Sequence, residues 1–214
     1  MNNIMIYPYK VQHFPKGKPI TFVANHSNVH DVPVLVRIIK KHVYLLAGSE
    51  HRGVINGIAF SANGVVWVKR DDKMSRYTSK QKLLFLLKRK KNILMFPEGT
   101  WNLSKNLPML QIHRKIIELA QVTHTPIVPI TLEYTCKKSV FYSIGKAIYF
   151  NETDDKLQSI QFLRDTMATM RWEFGSNNCE IKKKDISNKE YSAYTQERLN
   201  EYPKLNVEFE KIPF

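Results

Sequence analysis

Ile20-Thr21-Phe22-Val23-Ala24-Asn25-His26-Ser27-Asn28-Val29-His30-Asp31-Val32-Pro33-Val34-Leu35 is the stretch on which the fold turns. Residues 20–24 form a short apolar run, the pattern of a strand buried on both faces. Residues 32–39 read as a helix with Pro33 in its first turn, where a missing N–H costs little. The residues between them, Asn25 to Asp31, make a strand-to-helix turn, which is where α/β folds build their sites. In such a turn His26, with Asp31 five positions on, forms a candidate base and orienter. The imidazole takes a proton from a hydroxyl and the carboxylate fixes the other ring nitrogen. Plainer readings stand beside this one. Asp31 is also a good N-cap, and His26 also reads as a loop histidine bonded to backbone. Metal ligation by His26 and His30 is a weaker alternative, because no Glu follows His26 and Pro33 starts the helix only near Asp31.

Outward from this unit the alternation repeats. Apolar runs at 43–47, 64–68, 92–96 and 127–132, with a weaker one at 147–150, alternate with helix-length segments at 32–41, 50–61, 75–90 and 111–123. The expected fold is α/β, a mostly parallel central sheet flanked by helices on both faces, in a single domain. A short strand is expected near 7–11 and a further helix over 157–172. The domain is placed at 1–174. Residues 175–214 are read as a charged C-terminal extension, packed on the domain or partly mobile.

The 214 residues are 43% hydrophobic and 11% aromatic, which fits a globular chain and excludes a disordered one. No apolar run reaches the ~18 residues of a spanning helix. Cys136 and Cys179 lie far apart without metal spacing, and the first residues do not read as a signal peptide, so a reducing, cytosolic setting is expected. The net charge of +14 is uneven: residues 1–150 carry 23 Lys and Arg against 7 Asp and Glu, whereas 151–214 carry 10 against 12. The basic part is thus the part with the motifs, which points to an anionic partner: a phosphate-bearing substrate, an anionic lipid or nucleic acid. The segment 75–91 adds a leucine-rich helix with a strongly basic end, either a solvated face or a lipid-facing one.

Three more stretches carry chemistry. Gly64-Val65-Val66-Trp67-Val68-Lys69-Arg70 is a strand ending in two cations, and an arginine fork suits a phosphate. Asn92-Ile93-Leu94-Met95-Phe96-Pro97-Glu98-Gly99-Thr100 is a strand that stops at a proline and opens into a turn able to aim N–H groups, a carboxylate and a hydroxyl. Pro126-Ile127-Val128-Pro129 is a strand bracketed by prolines. Pro129 has no N–H and needs a strand end or a bulge.

In this order the four stretches resemble the four sequence blocks of the glycerolipid acyltransferases, the lysophosphatidic acid and glycerol-3-phosphate acyltransferase superfamily, over about residues 18–135. Asn25-His26 with Asp31 matches the His-x4-Asp block. Lys69-Arg70 matches the second, whose arginine binds substrate phosphate. Phe96 to Thr100 matches the third and Pro126 to Pro129 the fourth. The resemblance implies transfer of a fatty acyl group from a thioester, on coenzyme A or acyl carrier protein, to a hydroxyl of a lysophospholipid or glycerol-phosphate acceptor. It implies His26 and Asp31 as catalytic residues. It implies Asn25, Lys69, Arg70, Glu98, Gly99 and Thr100 as substrate-binding, with Arg114 as a helper, and backbone N–H groups of the 98–100 turn as oxyanion donors. No metal or resident cofactor is expected, because the thioester is a co-substrate. An anionic membrane surface is the expected partner, met by the positive charge, by the helix at 75–91 and by exposed apolar residues near 101–110. The expected location is cytoplasmic and peripheral, at the inner face of the membrane.

One departure bears on the acceptor. The third block usually continues with an arginine that helps hold the phosphate, and here Trp101-Asn102 follow Thr100. A different lipid acceptor, such as a lyso-ornithine lipid or a lipid A precursor, is the alternative within the superfamily. Nucleic-acid binding through basic residues and aromatics such as Phe60, Trp67 and Trp101 is the alternative outside it, disfavoured because no such module is visible.

Overall fold

The computed structural model describes residues 4–49, 64–104, 107–134 and 139–178, together with 193 and 196. The helix expected at 50–61 lies outside the described residues, as does nearly all of the extension beyond 178. Seven strands are described: β1 (Met5–Val11), β2 (Thr21–Ala24), β3 (Val43–Gly48), β4 (Val65–Val68), β5 (Asn92–Met95), β6 (Ile127–Tyr134) and β7 (Ser139–Ile144). The described helices are α1 (Asp31–Ile39), α2 (Lys73–Lys88), α3 (Lys115–Thr123) and α4 (Lys156–Asn178).

The strands form one sheet in the order β1-β7-β6-β2-β5-β3-β4. Pairing is parallel from β6 across β2, β5 and β3 to β4. β7 is antiparallel to β6, and β1 runs parallel to β7. The fold is therefore α/β with a mostly parallel sheet, as the alternation of apolar runs requires. Every residue of β2 is buried, because β2 lies mid-sheet with helices on both faces. Ile20, Phe22 and Ala24 pack with Leu94, Val128, Ile130 and Leu132 under Val34, Leu35 and Ile39 of α1. On the opposite face Val23, Ile93 and Met95 pack under Leu83, Leu86 and Leu87 of α2, Ile116, Ile117 and Leu119 of α3, and Leu163 and Met167 of α4. These apolar layers supply most of the folding free energy.

Two expectations are corrected. The weak strand at 147–150 contributes only a single bridge, Ile148 to Ile127. The strand beyond β6 is instead β7, which the polar residues Ser139 and Ser143 disguise. The helix at 157–172 also continues past residue 174, to Asn178.

Pro129 sits within β6, opposite Val23 of β2. It is tolerated because the pairing on its other side is interrupted. The regular ladder with β7 begins only at Ile130–Ile144, out of step with the Ile127–Ile148 bridge by one residue. An irregularity of this kind removes the need for a donor at Pro129. Gly145 packs against the ring: an added Cβ would lie 2.7 Å from Pro129 Cγ and 3.0 Å from Met170 Sδ. We expect Gly145→Ala to destabilise the fold by about 1–3 kcal/mol, read from urea denaturation, as overpacking does.

Candidate active site

The five parallel strands present their carboxyl ends along one edge. His26 follows β2, Arg70 follows β4, Glu98 follows β5, and Tyr134 ends β6. Asp31 opens α1 with no exposed surface, yet it does not act as the helix N-cap, a place taken by His30. Its carboxylate turns back on the preceding turn. Oδ2 accepts from His26 Nδ1 at 2.7 Å and from the backbone N–H groups of Ser27 and Asn28 at 2.8 and 2.9 Å. Oδ1 accepts from the Tyr134 hydroxyl at 2.7 Å. A buried carboxylate needs this many donors.

The imidazole of His26 is held on every side that these contacts reach. Phe96 stacks on it, with ring centroids 3.9 Å apart and planes 14° apart. Its Nε2 accepts from the indole N–H of Trp101 at 2.9 Å. An indole only donates and Asp31 accepts, so both partners select the tautomer with hydrogen on Nδ1. The backbone of His26 is clasped as well: its N–H donates to Glu98 Oε1 at 3.3 Å and its carbonyl accepts from Asn102 N–H at 2.7 Å.

Glu98 is buried and ties the turn after β5 to this clasp, since Oε2 accepts from Leu110 N–H at 2.8 Å. Burial pushes its carboxyl above the usual range, against the opposing pull of the Leu110 and His26 N–H groups and of the Arg171 charge. Arg171, from α4, is itself buried and donates to Glu133 and to the Pro108 carbonyl. Burial opposes its charge, but Glu133 outweighs this with help from Glu98 and Asp31, and its pKa is raised.

The expected substrate-binding residues divide. The buried carboxamide of Asn25 donates to the Leu132 carbonyl and accepts from the Leu132 N–H, so it locks β2 to β6 and does not face an acceptor. The N–H of Gly99 donates to Phe96 and so belongs to the turn, which removes it from the set of oxyanion donors in this conformation. Gly99 has φ +70°, and a Cβ there would lie 2.5 Å from His113 Nε2, so the turn needs glycine on both counts. Thr100 lies half-buried in the same turn. Lys69 is exposed and 3.9 Å from Asp71. Arg114 caps α3 with its exposed side chain 3.9 Å from Glu118.

Arg70 lies near enough to His113 to act on it. The imidazole of His113 is held below its ordinary pKa, first by burial of its inner edge and then by the charges of Arg70 and Lys115. Lys115 is lowered in turn by burial and by Arg76, Lys80 and Arg114, while Glu118 opposes them. Glu118 accepts from Lys80 at 2.9 Å. A cluster of cations thus gathers beside the Gly99 turn, with Glu118 as the carboxylate among them. Sequence reasoning missed Arg76, His113, Lys115, Tyr134 and Arg171. A signal existed for some of these. Arg76 and Lys115 fall in the first turns of α2 and α3, where the helix dipole disfavours cations, and α2 has no acid in that turn. Tyr134 and Arg171 reach the site only through the fold. Among the described residues no group of three or more His, Cys, Asp or Glu side chains is placed to hold a metal.

Comparison with known proteins gives this arrangement its class. The chain belongs to the Acyltransferase family, whose model matches residues 6–133. It is 30% identical over 142 residues to the chloroplastic 1-acyl-sn-glycerol-3-phosphate acyltransferase BAT2 of Brassica napus, covering 63% of this chain and 41% of that one. It is 31% identical over 142 residues to the chloroplastic 1-acyl-sn-glycerol-3-phosphate acyltransferase LPAT1 of Arabidopsis thaliana, covering 63% of this chain and 39% of that one. The match thus spans about two fifths of those relatives' lengths. In fold it is similar to the crystal structure of the 1-acyl-sn-glycerophosphate (LPA) acyltransferase PlsC from Thermotoga maritima. The TM-score is 0.66 at 17% identity, covering 82% of this chain and 74% of that one.

Two measurements test the site's physics. Tyr134→Phe removes one donor from a buried carboxylate and is expected to lower unfolding free energy by about 1.5–3 kcal/mol. For Glu98, the folded state holds its proton more tightly than the unfolded state does. Stability from this group is therefore present below the ordinary value of 4.5 and is lost as pH rises through the raised folded value. Glu98→Gln cannot titrate, so denaturation curves should show the variant gaining on the parent protein as pH rises above the ordinary value of 4.5.

Proposed function

We propose that the protein transfers a fatty acyl group from a thioester, on coenzyme A or acyl carrier protein, to a hydroxyl of a lysophospholipid or glycerol-phosphate acceptor. The observation that carries this reading is the 2.7 Å bond between His26 Nδ1 and a wholly buried Asp31, at a sheet edge that also bears cations. His26 Nε2 takes the acceptor's hydroxyl proton as its oxygen attacks the thioester carbonyl. The new O–C bond forms, the C–S bond breaks, and His26 returns the proton to the departing thiolate. Asp31 holds the tautomer and steadies the imidazolium. This route uses neither a covalent acyl-enzyme nor a resident cofactor. Arg70, with Lys115 and its neighbours, supplies the charge that would hold the acceptor phosphate. This replaces the arginine that the third block lacks.

The acyl chain and the product belong at a lipid surface, and we place the protein at the cytoplasmic face of a membrane. No helix among the described residues is long and apolar enough to cross one. The apolar contribution expected near 101–110 shrinks, because Trp101 and Met109 are buried and, among the described residues there, only Leu107 stands out. The stronger candidate is α2, where Met74, Tyr77 and Phe85 are exposed along one side beside Lys82 and Lys88.

In an assay of acyl-CoA and acyl carrier protein donors against glycerol 3-phosphate, lysophosphatidate and lyso-ornithine lipid, a phosphate-bearing acceptor should be preferred. His26→Ala should reduce transfer by about 10²–10⁴-fold. Arg70→Ala should chiefly raise the acceptor KM. Cosedimentation with vesicles should strengthen with anionic lipid and weaken with salt, and binding indifferent to both would remove the membrane from this reading.

A further inference from the structure

We infer that Trp101 is a positioning residue that caps the base: its indole N–H occupies His26 Nε2 until an acceptor hydroxyl replaces it, which keeps the thioester from being passed to water. This rests on the reading of His26 as the general base.

Nε2 has one lone pair, and Trp101 holds it at 2.9 Å, while Nδ1 is engaged with Asp31. In this conformation the ring has no nitrogen left with which to accept a substrate proton. The indole approaches at 71° to the imidazole plane with centroids 5.6 Å apart, so it stands across the nitrogen rather than over the face that Phe96 covers. Trp101 is only 6% exposed, and a buried indole N–H needs an acceptor. Removing the indole from His26 therefore requires something that compensates both groups. A hydroxyl can meet the demand of Nε2, because it donates to the same lone pair.

The backbone on either side of Trp101 is pinned to His26 by the Asn102 N–H on its carbonyl and by Glu98 on its N–H. Uncapping is thus a rotation of the Trp101 side chain, with the strap left in place. The His26 side chain retains 19% exposure, so the ring lies close to solvent once the indole turns away. Water reaching it would be activated like any hydroxyl. Its oxygen would bond to the acyl carbon, the C–S bond would break, and its proton would pass through Nε2 to the thiolate, releasing a fatty acid and a free thiol. Water brings no binding energy with which to displace the indole. An acceptor anchored by Arg70 and its neighbouring cations does.

The test is Trp101→Phe in the full chain, with radiolabelled acyl-CoA and no acceptor, following fatty acid release. Release should rise about five- to tenfold, the worth of one neutral hydrogen bond. Modification of His26 by diethyl pyrocarbonate should quicken in step, and with lysophosphatidate present a smaller fraction of consumed thioester should reach the acceptor. Release and modification no faster than in the parent protein would overturn the cap. His26→Ala, run alongside, separates the two readings. If it still transfers at the full rate, the base reading falls and the cap with it. If it loses transfer while Trp101→Phe leaks no more than the parent, the base stands and the cap alone falls. Should Trp101→Phe fold poorly, the indole NMR signals decide. With Trp67→Phe and Trp172→Phe as assignments, the Trp101 indole proton should move upfield when lysophosphatidate is added to the parent protein. A signal that stays still at saturation would overturn the proposal.

Discussion

A carboxylate without access to water sets the terms for the active-site edge. Asp31 has two oxygens to satisfy, and the structure supplies donors from three places: the backbone of the turn before it, the ring of His26, and the hydroxyl of Tyr134 at the end of β6. Each donor fixes something else. The backbone bonds fix the turn between β2 and α1. The histidine bond aims the imidazole. The tyrosine bond couples that turn to the adjacent strand, which Asn25 already ties down through Leu132. Removing any of them would leave a buried charge short of a partner, so the turn has little freedom to adopt another shape.

Around this pair the charges are arranged in two zones. Behind it, Arg171 and Glu133 pair in the interior, and the charge of Arg171 also offsets Glu98 and Asp31. Beside the Gly99 turn, the cations outnumber the nearby acid. Arg76, Lys80 and Arg114 raise the electrostatic cost of the charge on Lys115, and Arg70 and Lys115 raise that of a proton on His113. Such a concentration of like charge would be relieved by an anion, as the proposed acceptor phosphate would do. Trp101 is fastened to His26 by the hydrogen bond from its indole N–H to Nε2.

How much of this was legible in the sequence follows from distance along the chain. The β2–turn–α1 unit was readable because its strand, its turn and its proline all lie within twenty residues. The parallel strands were readable as apolar runs because burial on both faces leaves no room for alternation. β7 was not, since its polar side chains, Ser139 and Ser143, are buried among the sheet's edge contacts and hide its period. Asp31 and His26 were paired by local spacing. Tyr134 and Arg171 were invisible, because they arrive from 103 positions on and from a helix whose other residues read as ordinary core. Asn25 and Trp101 show the reverse error. Both were noticed, but spacing cannot say whether an amide faces a ligand or a neighbouring strand, nor that an indole would point at a base.

The order of the sheet also determines when the site can exist during synthesis. β2 is made before both of its neighbours, β5 and β6, and Asp31 waits for Tyr134. β1, the first strand described, pairs with β7, the last. As the chain leaves the ribosome, His26 and Asp31 are therefore present long before anything can enclose them, and the N-terminal strand remains unzipped until residue 144 has emerged. The pair is thus made before the strands that enclose it, and its surroundings form only once β6 and β7 have followed.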